Sequence, residues 1–572
     1  MQSIALLGGG PAALFMYKRI IEAKLSSYKI HIFEKHEKLG AGFPYSRYGA
    51  SKEHITNVSS NEIPTIKTSV KEWIAQAPKT LLKEFDMEKI SLDEYKVLPR
   101  LLFGEYLAAQ FNLLQKEAKE NGIQTVVHLK TEVINVVDNE NAEKVKVILK
   151  SGDKLSFDKA IICTGHSFPK KKEKKVQGWF DSPYPPEKLD LQVNFEVAIR
   201  GSSLTAIDAV RTMARANGKF THGADGIYTY HLRKKSKGFR MKIFSLGGLL
   251  PGVRIHLENT RPDPSHLLSE DEIKIIKNQN QGFIPLDFVY DQNFRKILQE
   301  KQPYIYKESD GMTLEEFMQF MMDNRRKTDP FKLFQEEYEE AEQSIETQES
   351  IVWKETLADL SYVINYSIKH FSAEDMLRYK RSLSPLISLI IAFIPQSSAR
   401  EILALHHAGI LDLVDVDMDS VVKPSENGGC IYVYRDKKNR KKQERFKMFI
   451  DALGQKPFYF KKLPFKGLKN THTLSPAYLD FSDQENAIKE FEQGNKDVHR
   501  DISGVYLLHL PGISINDYFQ PLNHYGVANK RLYVMAVPYI SGLNPDYSGL
   551  DFCEVASEKI LDSMTEPHHI NS

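Results

Sequence analysis

The stretch Ile4-Ala5-Leu6-Leu7-Gly8-Gly9-Gly10-Pro11-Ala12-Ala13 restricts the fold more than any other part of the chain. A short apolar run stops at three glycines. It gives way to a helix-competent segment in which Leu14, Tyr17, Lys18 and Ile21 recur at helical spacing. This reads as strand, tight turn, helix. In a Gly-x-Gly-x-x-Ala pattern Gly8 makes the turn and Gly10 lets backbone approach a pyrophosphate. Ala13 is small enough for the helix to lie close on the strand. The helix then aims its unpaired N–H groups and the positive end of its dipole at the anion. A plain tight turn would use the same glycines, so the pattern needs a second feature beside it.

That feature is Glu34. Tyr28-Lys29-Ile30-His31-Ile32-Phe33-Glu34-Lys35 alternates as a second strand and ends on a carboxylate 26 positions after Gly8. An acid there accepts both hydroxyls of an adenosine ribose and repels a 2′-phosphate. The first site is therefore expected to hold FAD or NAD, not NADP. A lone strand-end glutamate is ordinarily a solvated charge; strand, turn, helix, strand and acid in this order favour the binding site. Pro11, Ala12 and Lys35 flank these positions and join them as cofactor-binding candidates.

At 572 residues the chain exceeds what one core usually holds, so two or three domains are expected. A hydrophobic share of 41%, a charged share of 27% and a net charge of +2 are ordinary for a soluble globular protein. They offer no global field for nucleic acid or an acidic membrane. Cys163, Cys430 and Cys553 are far apart, with no Cys-x-x-Cys and no metal spacing. They read as buried small apolar residues in a reducing compartment, and no metal is expected. The apolar N-terminus lacks a basic start and breaks at its glycines, so it reads as a strand rather than an export signal. The run Leu386 to Ile394 is too short to cross a bilayer. The expected location is cytoplasmic.

Beyond Glu34, Leu39-Gly40-Ala41-Gly42-Phe43-Pro44-Tyr45 and His54-Ile55-Thr56-Asn57-Val58-Ser59-Ser60-Asn61-Glu62-Ile63-Pro64 are loops rich in glycine and small polar residues. With the first turn, they resemble bacterial FAD/NAD(P)-binding flavoproteins. These are two-dinucleotide-fold proteins similar in outline to N-hydroxylating and Baeyer–Villiger-type flavin monooxygenases. The resemblance implies that Tyr45, His54 and Asn57 stand near a flavin. It also implies that Arg100, opening a helix that runs to about Asn121, reaches the phosphates or the flavin edge. Read without it, the same residues form an irregular surface loop and a solvated helix-start arginine. Val126–Leu129, Glu132–Val137 (with Val133 a cofactor candidate) and Val145–Leu149 read as antiparallel strands. Cys163-Thr164-Gly165 then resembles the Ala-Thr-Gly crossover, implying that Thr164 and Gly165 turn the chain past the adenine side of FAD. Lys170 to Lys175 reads as a solvated linker.

A second strand–turn–helix follows in Val197-Ala198-Ile199-Arg200-Gly201-Ser202-Ser203-Leu204-Thr205-Ala206-Ile207-Asp208. It resembles the family's Gly-x-Gly-Leu-Ser/Thr-Ala-x-Asp, with Ser203 for the second glycine. Gly201, Ser202, Ser203 and Leu204 are the nicotinamide candidates. A serine Cβ hinders close approach of a phosphate, while its hydroxyl can donate a hydrogen bond. Asp208 reads as structural. Arg233 and Lys234, after the strand Ile227–Leu232, are the cations a 2′-phosphate needs and favour NADPH over NADH. Phe244-Ser245-Leu246-Gly247-Gly248-Leu249-Leu250-Pro251 resembles a family stretch that carries two arginines. Here they are absent, their role lost or moved to Arg233 and Arg240.

From about Asp263 to Gly409 the pattern turns helical, with Trp353–Phe371 and Leu377–Ile394 at helical spacing. Phe449 to Gln455 resembles a second, degraded crossover. After the strand Arg531–Pro538 come Ser541-Gly542-Leu543-Asn544-Pro545-Asp546-Tyr547-Ser548-Gly549 and a helix to about Leu561. The resemblance implies that this turn serves the flavin, with Asn544, Asp546 and Ser548 as candidates. His524, on the loop before the last strand, is the candidate for proton transfer.

The fold class is thus α/β: two discontinuous Rossmann-like dinucleotide-binding domains with a mainly helical insertion. The expected boundaries are 1–168 and 456–572 for the FAD-binding domain, 190–262 and 410–455 for the nicotinamide-binding-like domain, and 263–409 for the insertion. The leading functional reading is an FAD-dependent oxidoreductase, reduced by NADPH or NADH and monooxygenase-like, acting on a small molecule. Without Cys-x-x-Cys it is no disulfide reductase. An FAD oxidase or dehydrogenase with a vestigial second fold, and a non-catalytic nucleotide-binding scaffold, are the alternatives. No nucleic-acid or membrane partner is expected, and oligomeric state stays open.

Overall fold

The computed structural model describes residues 1–87, 95–223, 227–259, 267–455, 458–545 and 549–565. The apolar runs read from the sequence lie in the middle of two five-stranded sheets. The first is wholly parallel, in the order Leu532–Val534, Lys159–Ile162, Gln2–Leu7, Tyr28–Phe33, Gln124–His128. Ile4 to Leu7 are fully buried, as expected for a central strand covered on both faces. The helix Pro11–Glu22 returns along one face, packed against Arg100–Glu120 and Gly549–Thr565. Tyr17 stacks on Phe111 at 5.3 Å. The Lys18 ammonium, 6% exposed, donates to the Thr65 carbonyl at 3.0 Å and pairs with Glu554 at 3.1 Å. Burying each large apolar side chain of this helix contributes about 1.5–3 kcal/mol, which holds the turn in place.

The second sheet, also parallel, runs Trp179–Phe180, Met448–Asp451, Glu196–Arg200, Arg240–Leu246, Leu411–Val416, with the helix Leu204–Asn217 after its central strand. The two sheets repeat one backbone device. Gly8 N–H donates to the Phe33 carbonyl at 2.9 Å and Cys163 N–H to Leu7 at 2.9 Å. Gly201 N–H donates to Phe244 at 2.8 Å and Ala452 N–H to Arg200 at 2.9 Å. Gly8 matches Gly201, Cys163 matches Ala452, and the residue after Phe33, Glu34, matches the residue after Phe244, Ser245. Both turn glycines have positive φ, +120° and +102°. A Cβ on Gly8 would sit 2.6 Å from the Cys163 carbonyl oxygen, and one on Gly201 would sit 2.9 Å from that of Ala452. Only glycine fits either place.

The helical stretch begins at Glu270 and ends with Gln396–His407. Thr313 caps Leu314–Arg326 through the Glu316 N–H, and Leu314, Phe317 and Met318 bury that helix in the main core. The buried carboxylate of Glu401 takes Arg211 at 2.8 Å and Arg215 at 2.6 Å, tying the last helix of the stretch to the second glycine-turn helix.

Three sequence expectations change here. The strand expected to be antiparallel at Val126–Leu129 is Gln124–His128, the fifth parallel strand, reached by a crossover through Arg100–Glu120. Only Val133–Asn139, Lys144–Leu149 and Lys154–Phe157 form the antiparallel meander. The strand expected to follow the second turn helix at Ile227–Leu232 is Tyr228–Leu232, which pairs antiparallel with Gly218–His222 as a hairpin. The true second strand is Arg240–Leu246. The helix expected over Leu377–Ile394 splits into Ala373–Arg378, a wide π turn Tyr379–Leu383, and Ser384–Ile390. Pro385 has no N–H to continue the ladder, which accounts for the wide turn.

Candidate cofactor site

A cavity of about 490 Å³ opens over the carboxyl ends of the first sheet's strands. That is where ligands lie in open parallel sheets. Its floor is Leu7 to Ala12. The first helical hydrogen bond is Leu14 N–H to the Gly10 carbonyl at 3.0 Å, so the Ala12 and Ala13 N–H groups precede the ladder. A Cβ on Gly10 would lie 3.2 Å from Gly42 Cα, because the loop after Glu34 crosses the turn; Gly40 N–H donates to the Gly9 carbonyl at 2.7 Å.

Glu34 reaches this turn directly. Its Oε2 accepts the Gly9 N–H and its Oε1 the His36 N–H, both at 2.8 Å, with 6% of the residue exposed. Each oxygen keeps accepting capacity for a further donor. Lys35 stands exposed at the rim. Phe43 to Tyr45 and Thr131 to Ile134, including Val133, form the side walls, with Thr164, Gly165 and His166 opposite. Burial pushes the Tyr45 phenol up to about 12, and its ring meets Phe103 edge-on at 4.8 Å. Phe465, Met535, Tyr539 and the start of the last helix, Gly549 to Cys553, close the far end. Burial pushes the Cys163 and Cys553 thiols well up, so both act as small apolar wall.

These residues fit an FAD. A free amide at a helix start meets a diphosphate, a buried acid beside it meets a ribose, and a largely apolar cavity with a few polar groups meets the flavin. The site brings together Gly8, Gly10, Pro11, Ala12, Glu34, Lys35, Tyr45, Val133, Thr164 and Gly165. Ala13 sits fully buried behind the turn, as its packing role requires.

Other expected residues stand elsewhere. Arg100 turns away from the cavity into a buried seam between the two nucleotide folds. Its guanidinium pairs with Asp208 at 2.6 Å and donates to the Ile55 carbonyl at 2.9 Å. The Tyr184 hydroxyl donates to the same carboxylate at 2.7 Å. Burial works against the Asp208 charge, but Arg100, His54 and Tyr184 together hold its carboxyl below the usual range. The buried His54 imidazole contacts Thr212 Oγ1 at 3.0 Å, and burial pulls its pKa down. Asn57 offers its carbonyl to Arg254 at 2.6 Å. These groups fasten the domains together and do not line the cavity.

Asn544 is 3% exposed and does not line the cavity, its Oδ1 without a partner among the described residues. Asp546 and Ser548 lie outside the described residues. His524 is corrected. Asn523 Oδ1 takes the Tyr525 and Val527 N–H groups, and this Asx turn carries His524 outward, its ring 5.9 Å from that of His472 and away from the cavity. Arg233 and Lys234 are corrected as well. Arg233 N–H bonds the Asn217 carbonyl, at the far end of a helix of 14 residues. That length places it about 20 Å from the Gly201 turn. At that turn Ser202 Oγ meets Ser245 Oγ at 2.8 Å and donates to the Leu249 carbonyl at 2.9 Å. Ser203 is exposed and makes no capping bond, and Leu204 opens the helix.

Residues missed in the sequence include Gly9, whose signal was the glycine run itself. Phe465, Tyr539 and Cys553 were also missed; they come from distant segments and carry no local signature. Among the described residues no helix is long and apolar enough to cross a membrane, and no cluster of three metal-ligating side chains occurs.

Two parallel sheets repeat one strand–turn–helix device, with a cavity over the first, and this is the architecture of two dinucleotide-type folds. Residues 5–167 match the FAD-NAD(P)-binding family, and residues 269–391 match the YdhS-like middle domain. The uncharacterized protein YdhS of Escherichia coli (strain K12) is 26% identical over 482 residues, covering 82% of this chain and 86% of that one. Among solved structures, L-lysine 6-monooxygenase from Pseudomonas syringae is 11% identical, with 98% of each chain covered and a TM-score of 0.46. The FAD-bound cadaverine monooxygenase of the desferrioxamine pathway from Erwinia amylovora is 10% identical, covering 98% of this chain and 94% of that one, with a TM-score of 0.44.

Proposed function

We propose that this protein is an FAD-dependent oxidoreductase, reduced by a nicotinamide dinucleotide and monooxygenase-like, acting on a small molecule. The observation that carries the reading is Glu34 bound to the Gly9 N–H inside a cavity large enough for a flavin, next to a second fold built on the same turn. FAD, when bound, supplies the electron transfer. The chain's own residues orient and enclose it. The Ala12 amide meets the diphosphate, Glu34 accepts from the ribose, and Phe43, Tyr45, Phe465 and Tyr539 exclude water. Neither buried thiol contributes a thiolate at neutral pH.

The test is anaerobic titration of the purified flavoprotein with NADPH and with NADH, followed by its visible spectrum. Bleaching by either supports the reading. A flavin that resists both but bleaches with an oxidisable substrate replaces it with an oxidase or dehydrogenase. A protein that binds no flavin replaces it with a nucleotide-binding scaffold.

A further inference from the structure

We infer that the second glycine turn selects a dinucleotide carrying a 2′-phosphate and that Arg326, on the helical stretch, is the residue that holds this phosphate. The inference rests on the proposed nicotinamide reading of that turn and goes one step further, to its specificity.

The argument begins with the backbone equivalence of the two folds. Gly8 bonds the Phe33 carbonyl as Gly201 bonds the Phe244 carbonyl, so Ser245 stands where the first fold has Glu34. A carboxylate at that position accepts the ribose diol and repels a 2′-phosphate; a serine removes the repulsion. A second substitution accompanies it. A Cβ on Gly9 would lie 2.9 Å from the Glu34 Cβ, so the first turn tolerates no side chain there. In the second turn the matching position carries a side chain, Ser202, whose hydroxyl meets that of Ser245 at 2.8 Å. The acid and the bare glycine are lost together, and a neutral pair of hydroxyls takes their place.

A 2′-phosphate also needs a cation beyond the end of this strand. Arg240 begins the strand and donates to the Phe239 carbonyl at 2.7 Å, at the wrong end. Arg233 is a helix length away. At the correct end the chain turns through Gly247, φ +77°. The Arg326 Nη2 atom lies 3.3 Å from where a side chain on Gly247 would begin. Asp323 Oδ1 lies 3.7 Å from the guanidinium, and 45% of the Arg326 side chain stays open to solvent. Arg326 is thus a permanent, planar donor at the end of the strand that carries Ser245, delivered from a segment 81 positions later (326 − 245).

The experiment is calorimetric binding to the FAD-loaded, full-length protein of 2′,5′-ADP, 5′-AMP, NADPH and NADH. The expected result is 2′,5′-ADP tighter than 5′-AMP by roughly tenfold or more. Arg326→Ala is expected to remove that advantage while leaving 5′-AMP affinity and the flavin spectrum unchanged; Arg326→Lys retains part of it. Equal affinity for the two fragments, or an advantage that survives Arg326→Ala, overturns the inference and leaves the nicotinamide reading intact. Binding of none of the four ligands overturns both.

Discussion

Glu34 and Ser245 hold the same place in two copies of one turn, and they treat the amide beside them differently. Glu34 folds back to accept the Gly9 N–H at 2.8 Å, whereas the Ser245 hydroxyl meets the Ser202 hydroxyl at 2.8 Å and the Leu249 carbonyl at 3.3 Å. The first turn is therefore built around a buried acid. Glu34→Ala strips the ribose acceptor and leaves the Gly9 and His36 N–H groups without their partner. Losing hydrogen bonds to a charged group costs about 2–4 kcal/mol, which weakens FAD by roughly 30- to 1000-fold. Fluorescence titration of flavin-free protein measures this; an unchanged FAD affinity would remove Glu34 from the site.

Gly8 tests the turn itself. An alanine there faces φ +120° and a carbonyl oxygen 2.6 Å from its Cβ, with backbone on both sides of the clash. Gly8→Ala is expected to cost about 3 kcal/mol or more and to lower flavin content. Thermal unfolding with and without added FAD checks it. Wild-type stability in the variant would mean that the turn is looser than described.

The Arg100–Asp208 pair predicts an effect on stability rather than on the cofactor. The pair is buried in the domain seam, with Tyr184 on the same carboxylate. Arg100→Ala leaves Asp208 buried and uncompensated, a loss of about 3–5 kcal/mol. Tyr184→Phe removes one bond and costs about 1–2 kcal/mol. Denaturant unfolding measures both. A marked fall in FAD affinity without loss of stability in Arg100→Ala would return that residue to the cofactor.

His31 gives a pH dependence. Burial first, then His128 and Lys29, pull its imidazole down to about 4 from an ordinary value of 6.5. Above pH 6.5 neither the folded nor the unfolded chain protonates it, and no stability depends on it. Between 6.5 and about 4 the unfolded chain binds the extra proton, so stability falls as the pH falls. Melting temperatures of wild type and His31→Phe across that window test this, the variant showing the shallower acid loss. Parallel curves would contradict it.

The first turn was legible because its parts are close in sequence: strand, glycines, helix and acid fall between Gln2 and Glu34, and local geometry fixes their meeting. The second turn was legible only in outline. Its true second strand, Arg240–Leu246, follows a hairpin that mimics a Rossmann strand in pattern. The cation at its end comes from a helix that no local pattern links to it. Arg100 and His54 were misplaced for a related reason. A helix-start arginine looks the same whether it meets a phosphate or a buried aspartate 108 positions away. Tertiary packing decides between them, and the partner's identity is not written beside the residue.

The most direct measurement is the FAD content and FAD titration of the purified full-length protein, expressed as flavin per chain. One tightly bound FAD for each chain, displaced in Glu34→Ala, is the result predicted. A colourless protein that takes up no FAD at saturating concentration, while wild-type folding is intact, would contradict the account.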